Sequence, residues 1–279
     1  MSWTKEFTKH DYAEHEHLTF GYGNAKLDDT IATFSLPAGY TCPGAKECMA
    51  MAVRKDGKMK LQNGPHSVYT CFAASQELVG VSVRNMRWHN YGKLLAAERR
   101  GGVKAMAELI AVSLDKKALG VRIHVSGDFY SESYFKAWCI AAKYHSPMPM
   151  YAYTKSIPHW IKHKDLIPDN MTLVASHGGR FDELIEEHDL RSAKVVFHPD
   201  EAKALGLEID HTDALAADPE VKKFVLLLHG MQRKDTDAAK ALARMKQEGI
   251  QFSYNKETKH IRHHEQRVRE FRSAVTAHN

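Results

Sequence analysis

Residues 120–145, "GVRIHVSGDFYSESYFKAWCIAAKYH", decide the fold. The first part is an apolar run of strand length that stops on Ser126-Gly127-Asp128. The second part, from Ser131 on, carries apolar residues at helical spacing. The same order then repeats. "MPMYAYTKS" (148–156) precedes "IPHWIKHKDLI" (157–167), and "MTLVASHGG" (171–179) precedes "RFDELIEEHDL" (180–190). "AKVVFHP" (193–199) leads into "DEAKALG" (200–206), and "KFVLLLHG" (223–230) into "TDAAKALARMKQEG" (236–249), before a short "QFSYN" (251–255). Strands alternating with helices predict a parallel α/β sheet built from right-handed βαβ units. Apolar runs such as "FVLLL" agree, because parallel strands are covered on both faces. The expected architecture is TIM-barrel-like, complete or partial, with an irregular cysteine-containing segment at the amino end. The chain is read as a single α/β domain over 1–279: a cysteine and basic helical segment (1–102), the βα repeats (103–255) and a basic terminal helix (256–279).

The ends of these strands are polar. Ser126 and Asp128, Tyr153 to Lys155, Ser176 and His177, His198, and His229 all fall where an apolar run gives way to a turn or helix. In parallel α/β folds the carboxyl ends of the strands lie on one side, where ligand groups gather. A shared polar rim is therefore expected. The competing reading is that each group caps the next helix, Asp128 or Ser131 before "ESYFKAW" and Asp200 before "EAKAL".

With 43% hydrophobic and 26% charged residues among 279, the chain can bury a proper core. Its start, "MSWTKEFTKHDYAEHEH", fits neither a signal nor a transit peptide, and no stretch reaches the roughly 20 apolar residues that span a bilayer, so a cytoplasmic protein with no membrane partner is expected. The net charge is +5 with His neutral. That excess allows a nucleic-acid partner without requiring one. It concentrates in "SVRNMRWHNYGKLLAAERR" (82–100), where Arg84, Arg87, Lys93, Arg99 and Arg100 interleave with Trp88 and Tyr91, and in "KETKHIRHHEQRVREFR" (256–272). Arg84, Arg87, Trp88, Lys93, Arg99 and Arg100 are the candidate DNA-backbone contacts, with a solvated helix face as the plainer alternative.

The first hundred residues differ in texture. "GYGNAKLDDTIATFSLPAGYTCPGAKEC" (21–48) is rich in turns, with one short strand candidate at "IATFSL". "VRKDGKMKLQNGPHSVY" (53–69) reads as a polar hairpin, and Gly80 predicts a break in the helical stretch after it. Of four cysteines, Cys139 falls on the buried side of a helix and reads as core. Cys42, Cys48 and Cys71 cluster within thirty residues, which in a cytosolic chain points to metal or redox chemistry more than to disulfides. Three thiolates with His66 could close a zinc site. Three thiolates alone could hold a four-iron cluster with one iron open. The spacing C-x5-C-x22-C matches neither a zinc ribbon nor the compact triplet of radical enzymes, and three unliganded thiols remain the third option.

"SLPAGYTCPGAKEC", "CFAASQE", "RWHNY", "RIHVSGDFYSESYFKAW" and "YAYTKS" together resemble the phage and plasmid family called gene product eighty-eight. The likeness runs from about Gly23 to His229. Family members bring the last cysteine closer, in a "CPG...C...CYA" arrangement similar to a cluster-binding loop. Here an insertion separates Cys48 from Cys71, and Phe72 stands where Tyr is usual. The mobile-element setting implies action on phage or plasmid nucleic acid, and the chain also looks similar to bacterial anti-phage DNA glycosylases that remove modified bases.

The leading expectation is such a glycosylase, leaving abasic sites in phage double-stranded DNA. A fixed carboxylate would stabilise positive charge at the anomeric carbon while an acid or cation helps the base depart. Asp128 supplies the carboxylate, and Lys155, His177 and His229 the donors. Ser126, Phe129, Tyr130, Tyr153, Ser176 and His198 would bind the flipped nucleotide, the aromatic rings by stacking. Cys42, Cys48 and Cys71 would hold zinc or an iron-sulfur cluster that orders a loop. Two rivals remain: an enzyme that cleaves S-adenosylmethionine at a three-cysteine cluster and modifies nucleic acid, and a non-catalytic DNA-binding immunity protein.

Overall fold

The computed structural model describes residues 16–24 and 26–252. The basic segment 256–272 and the terminal helix expected over 256–279 lie outside them, as does most of "QFSYN". No described helix is long and apolar enough to cross a membrane.

A seven-stranded sheet forms the centre, in the order β1 (Gly21–Tyr22), β2 (Ile31–Ser35), β5 (Gly120–Ser126), β6 (Met150–Thr154), β7 (Met171–Ser176), β8 (Ser192–Val196), β9 (Lys223–Leu227). Of these, β1 runs antiparallel; the six others are parallel and succeed one another across the sheet in chain order. The α/β class expected from the alternation is present. The amino-terminal segment does not stand apart, since its strand β2 pairs with β5. Gln251 and Phe252 form no strand.

Both faces of the sheet are covered, and β6 shows how. Met150 and Ala152 enter a core with Phe34, Ile123, Leu173, Trp138, Leu94 and Met106, while Tyr151 and Tyr153 face a second cluster with Val174, Leu215 and Phe224. Successive side chains of a strand point to opposite faces, so one apolar run feeds two cores. The first core is closed by α2 (Val81–Ser113) and α3 (Glu132–Tyr144). Trp138, Tyr134 and Phe135 are fully buried there, each worth about 1.5–3 kcal/mol of apolar burial. Cys139 lies in it as expected. The Gly80 break is present, between α1 (Phe72–Val79) and α2, and α2 itself bends at Gly101-Gly102.

Ser131 caps α3, its hydroxyl accepting from the Tyr134 N–H at 3.2 Å. Asp128 is therefore not the cap. Before the helix Pro199–Leu205 the cap is His198, not Asp200. The polar hairpin exists as β3 (Ala50–Lys55) and β4 (Lys58–Asn63), a separate two-stranded ribbon.

Candidate functional site

The carboxyl ends of the parallel strands and the loop after β2 enclose a cavity of about 600 Å³. Cys42, Cys48 and Cys71 line it together with Ser126, Asp128, Tyr153, Lys155, Ser176 and His229. Nine of the residues singled out from the sequence thus meet in one place.

Backbone contacts fix the cysteine loop against the strand ends. The Leu36 N–H donates to the Ser126 carbonyl (2.9 Å), and the Ser126 hydroxyl donates back to the Leu36 carbonyl (2.8 Å). The Glu47 N–H donates to the Gly178 carbonyl and the Arg180 N–H to that of Gly44, both at 2.9 Å. Two glycines permit this approach. A Cβ on Gly127, whose φ is 85°, would lie 2.6 Å from Thr41 Oγ1, and one on Gly44 would lie 2.2 Å from the Lys155 carbonyl oxygen.

Asp128 is 5% exposed and its carboxylate accepts three bonds: Phe129 N–H (2.7 Å), Thr154 Oγ1 (2.6 Å) and Lys155 N–H (2.8 Å). Burial raises its pKa from the ordinary carboxylate value, against the pull of those donors. The group clamps the end of β5 to the end of β6 and borders the cavity. Lys155 Nζ donates to the Ser176 carbonyl (2.9 Å), the Ser176 hydroxyl (2.7 Å) and the His177 carbonyl. An ammonium has three protons, so all three already have acceptors. Lys155 ties β6 to β7 and has no proton to spare for a leaving base.

The thiols differ from one another. Burial lifts Cys42 well above the usual thiol range, aided by Asp128 and the two other cysteines. Cys71, at the start of α1, is pushed up to about 11 by burial and by Cys48, while the Ala73 and Ala74 N–H groups pull it down. The Tyr69 hydroxyl hydrogen-bonds Cys48. Among the described residues no three His, Cys, Asp or Glu groups stand close enough to enclose a single metal ion. His66 is exposed and does not line the cavity.

Several expectations are corrected. Phe129 is fully buried in the first core, and Tyr130 stacks on Tyr134 at 4.5 Å outside the cavity, so neither offers a surface to a base. His198 is buried between Asp200 and Glu248, its Nε2 2.7 Å from Glu248, away from the cavity. His177 contributes its carbonyl, and its ring faces Asp182 instead. On α2, Arg84, Arg87 and Trp88 are buried: Arg87 pairs with buried Glu77 at 2.8 Å, Arg84 donates to the Glu77 carbonyl, and Trp88 meets Tyr40 edge-on. They cannot contact a DNA backbone. Lys93 is half-buried, and only Arg99 and Arg100 of that set are exposed.

The inner end of the cavity holds residues that the strand-end reading missed. Arg122 pairs with Asp213, which also accepts from Tyr151 Oη (3.1 Å) and lies 4.0 Å from Lys26 Nζ. Asp210 sits beside them, held near 6 by burial and by Asp213. His124, buried and held at about 3 by desolvation, bonds Tyr134 Oη through Nε2 (3.0 Å) and has no partner at Nδ1 among the described residues. The signal was a pair of charged or titratable residues inside the apolar run "VRIHV", though they part in the fold: His124, at φ 65°, meets Phe129, Tyr134 and Trp138 of the first core, while Arg122 lies over Tyr153.

A family model, Gene product 88, matches residues 6–247. The chain belongs to the Gene product 88 family. A curated relative, the Gene 88 protein of Mycobacterium phage D29, is 29% identical over 146 residues, covering 50% of this chain and 52% of the relative. The chain thus spans about half the length of the curated relative it matches. No solved structure matches. The Gene product 88 match includes all three clustered cysteines, the strand ends and the ribbon between Cys48 and Cys71.

Proposed function

We propose that the protein is a reductive iron-sulfur enzyme of the kind that cleaves S-adenosylmethionine, acting on nucleic acid. The observation that carries this is the meeting of three cysteines, from the loop after the first parallel strand and the start of α1, at the polar end of six parallel strands in unbroken chain order. The sheet is read as an incomplete barrel. Neighbouring strands lie about 4.8 Å apart, so in a flat sheet β5 and β9 would stand about 19 Å from each other. Arg122 and His124 of β5 nevertheless line the same cavity as Leu226 and Leu227 of β9, which calls for curvature.

The donor set fits a cluster better than a single ion. Zinc draws its ligands onto one centre, whereas a four-iron cube holds three thiolates on three separate irons and tolerates a wider spread. Cys42, Cys48 and Cys71 would hold it. A cluster bound there would supply a single electron, drawn from an external reductant, for the reductive cleavage of S-adenosylmethionine. The chain's own residues do the rest. The Ala73 and Ala74 N–H groups favour the Cys71 thiolate, Gly44 and Gly127 seat the loop, and the apolar wall of Val195, Leu226 and Leu227 keeps water from a reactive substrate.

The base-excision reading keeps Asp128, Tyr153 and His229 at the cavity, but two of its three stacking rings, its lysine donor and half of its backbone contacts are engaged elsewhere. The test is anaerobic reconstitution with iron and sulfide, then reduction with S-adenosylmethionine present. About four irons per chain and release of 5′-deoxyadenosine are expected, both lost in Cys42→Ala and Cys71→Ala. A colourless protein that leaves alkali-labile sites in phage DNA would instead establish the glycosylase.

A further inference from the structure

The ribbon β3–β4 is a two-stranded sheet separate from the central one, and none of its residues from Ala50 to Asn63 lines the cavity. Its turn, Lys55-Asp56-Gly57-Lys58, has Asp56 at φ 53° and Gly57 at φ 73°, the double left-handed turn that suits a tight two-residue hairpin. Pairing is regular from Ala50 opposite Asn63 to Lys55 opposite Lys58. Directly opposed residues share a face, so the ribbon has two distinct sides.

One side carries Ala50, Ala52 and Leu61, and at its root packs with Ala38, Ala73, Ala74 and Phe72. The other side carries Lys55, Lys58 and Lys60, all exposed, with exposed Gln62 behind them. Asp56 is the ribbon's one acid, and its contact with Lys60 (3.2 Å) joins two solvated groups, which holds a lysine weakly. A Cβ on Gly57 would meet nothing within 4 Å, so the tip stands clear of the body.

We infer that the lysine face of this ribbon is the docking surface for duplex DNA. The charge is complementary to a phosphate backbone, and the shape is complementary to one groove. The major groove of B-DNA, about 12 Å wide, admits a two-stranded ribbon, whereas the major groove of duplex RNA is too deep and narrow. The root of the ribbon joins the segments bearing Cys48 and Cys71, so DNA held on its lysines is tethered to the part of the chain that lines the cavity. The ribbon takes the part that Arg84 and Arg87 were expected to play. The inference shares with the proposed function only its nucleic-acid substrate, and needs neither cluster nor turnover.

The test is fluorescence anisotropy of a labelled DNA duplex against the full chain over a range of salt concentrations. Lys55→Glu/Lys58→Glu/Lys60→Glu is compared with Lys104→Glu/Lys116→Glu/Lys117→Glu, which changes net charge equally at exposed positions elsewhere. Loss of the ribbon lysines is expected to weaken binding by at least about tenfold and to flatten the slope of log K against log salt by roughly one per lysine. The control is expected to keep most of both. Equal losses in the two variants, or undiminished binding by the ribbon variant with an unchanged melting temperature, would overturn the assignment. So would duplex RNA bound as tightly as DNA through the same lysines. A cluster-free protein that binds DNA through the ribbon would refute the iron-sulfur reading and leave this one standing.

Discussion

Burial keeps the His124 imidazole neutral, at about 3, and holds His229 at about 4 with help from Lys26 and Arg122. Both values lie below the ordinary 6.5, so as pH falls the unfolded chain takes up these protons first. The stability they confer is complete above about 6.5 and is lost as pH drops toward 4 and then 3. Asp210 works against this over part of the range, because its raised affinity lets the folded state take up that proton first. In urea titrations across this window, His124→Asn should flatten the decline by about 1.4 kcal/mol per pH unit, the value of one proton. Asparagine tolerates the left-handed φ of 65° at this position. An unchanged slope would mean that His124 is charged in the folded protein. Individual residues were the least legible part of the sequence. Arg87 beside Trp88 reads as a nucleic-acid face because its partner, Glu77, lies on the preceding helix, and only packing brings the two together at 2.8 Å. Arg122 and His124 were visible as polar residues inside an apolar strand, but nothing local linked Arg122 to Asp213, ninety-one residues away.

At the scale of elements, strands and helices were readable because their periodicities are local. The seating of the cysteine loop was not, since it depends on backbone meeting backbone. Two glycines show the difference. Gly92, in α2, has nothing within 4 Å of an added Cβ, so Gly92→Ala should stabilise the protein by up to about 1 kcal/mol through helix propensity. Gly44→Ala drives a methyl into the Lys155 carbonyl and should destabilise by about 1–3 kcal/mol. Thermal melts of the two variants should move in opposite directions. If both rise, the loop is not seated on β6 as described. The strand-end expectation held for Ser126, Asp128, Tyr153, Lys155, Ser176 and His229, because chain direction alone brings them to one side. It failed for His198, which faces the helix it caps, and for the His177 ring, which faces Asp182.

Across the whole molecule, Arg122 of β5 and Lys26 of the β1–β2 connection converge on Asp213, in the connection between β8 and β9. This ionic group links both ends of the sheet. Asp213→Ala leaves two buried cations without their shared carboxylate and should cost about 3–5 kcal/mol in urea unfolding. Arg122→Met/Asp213→Leu removes both charges of the short pair and should recover most of that loss. If the double variant is as unstable as the single one, the pair is not what holds these segments together.

The ribbon between Cys48 and Cys71 begins and ends at the same place: the Gly64 N–H donates to the Met49 carbonyl at 2.8 Å. A segment whose two ends already touch can be gained or lost without stretching its flanks. The twenty-two residues separating the two cysteines therefore count for almost nothing as distance. The ribbon can be shortened or removed while Cys48 and Cys71 keep their places beside the strand ends.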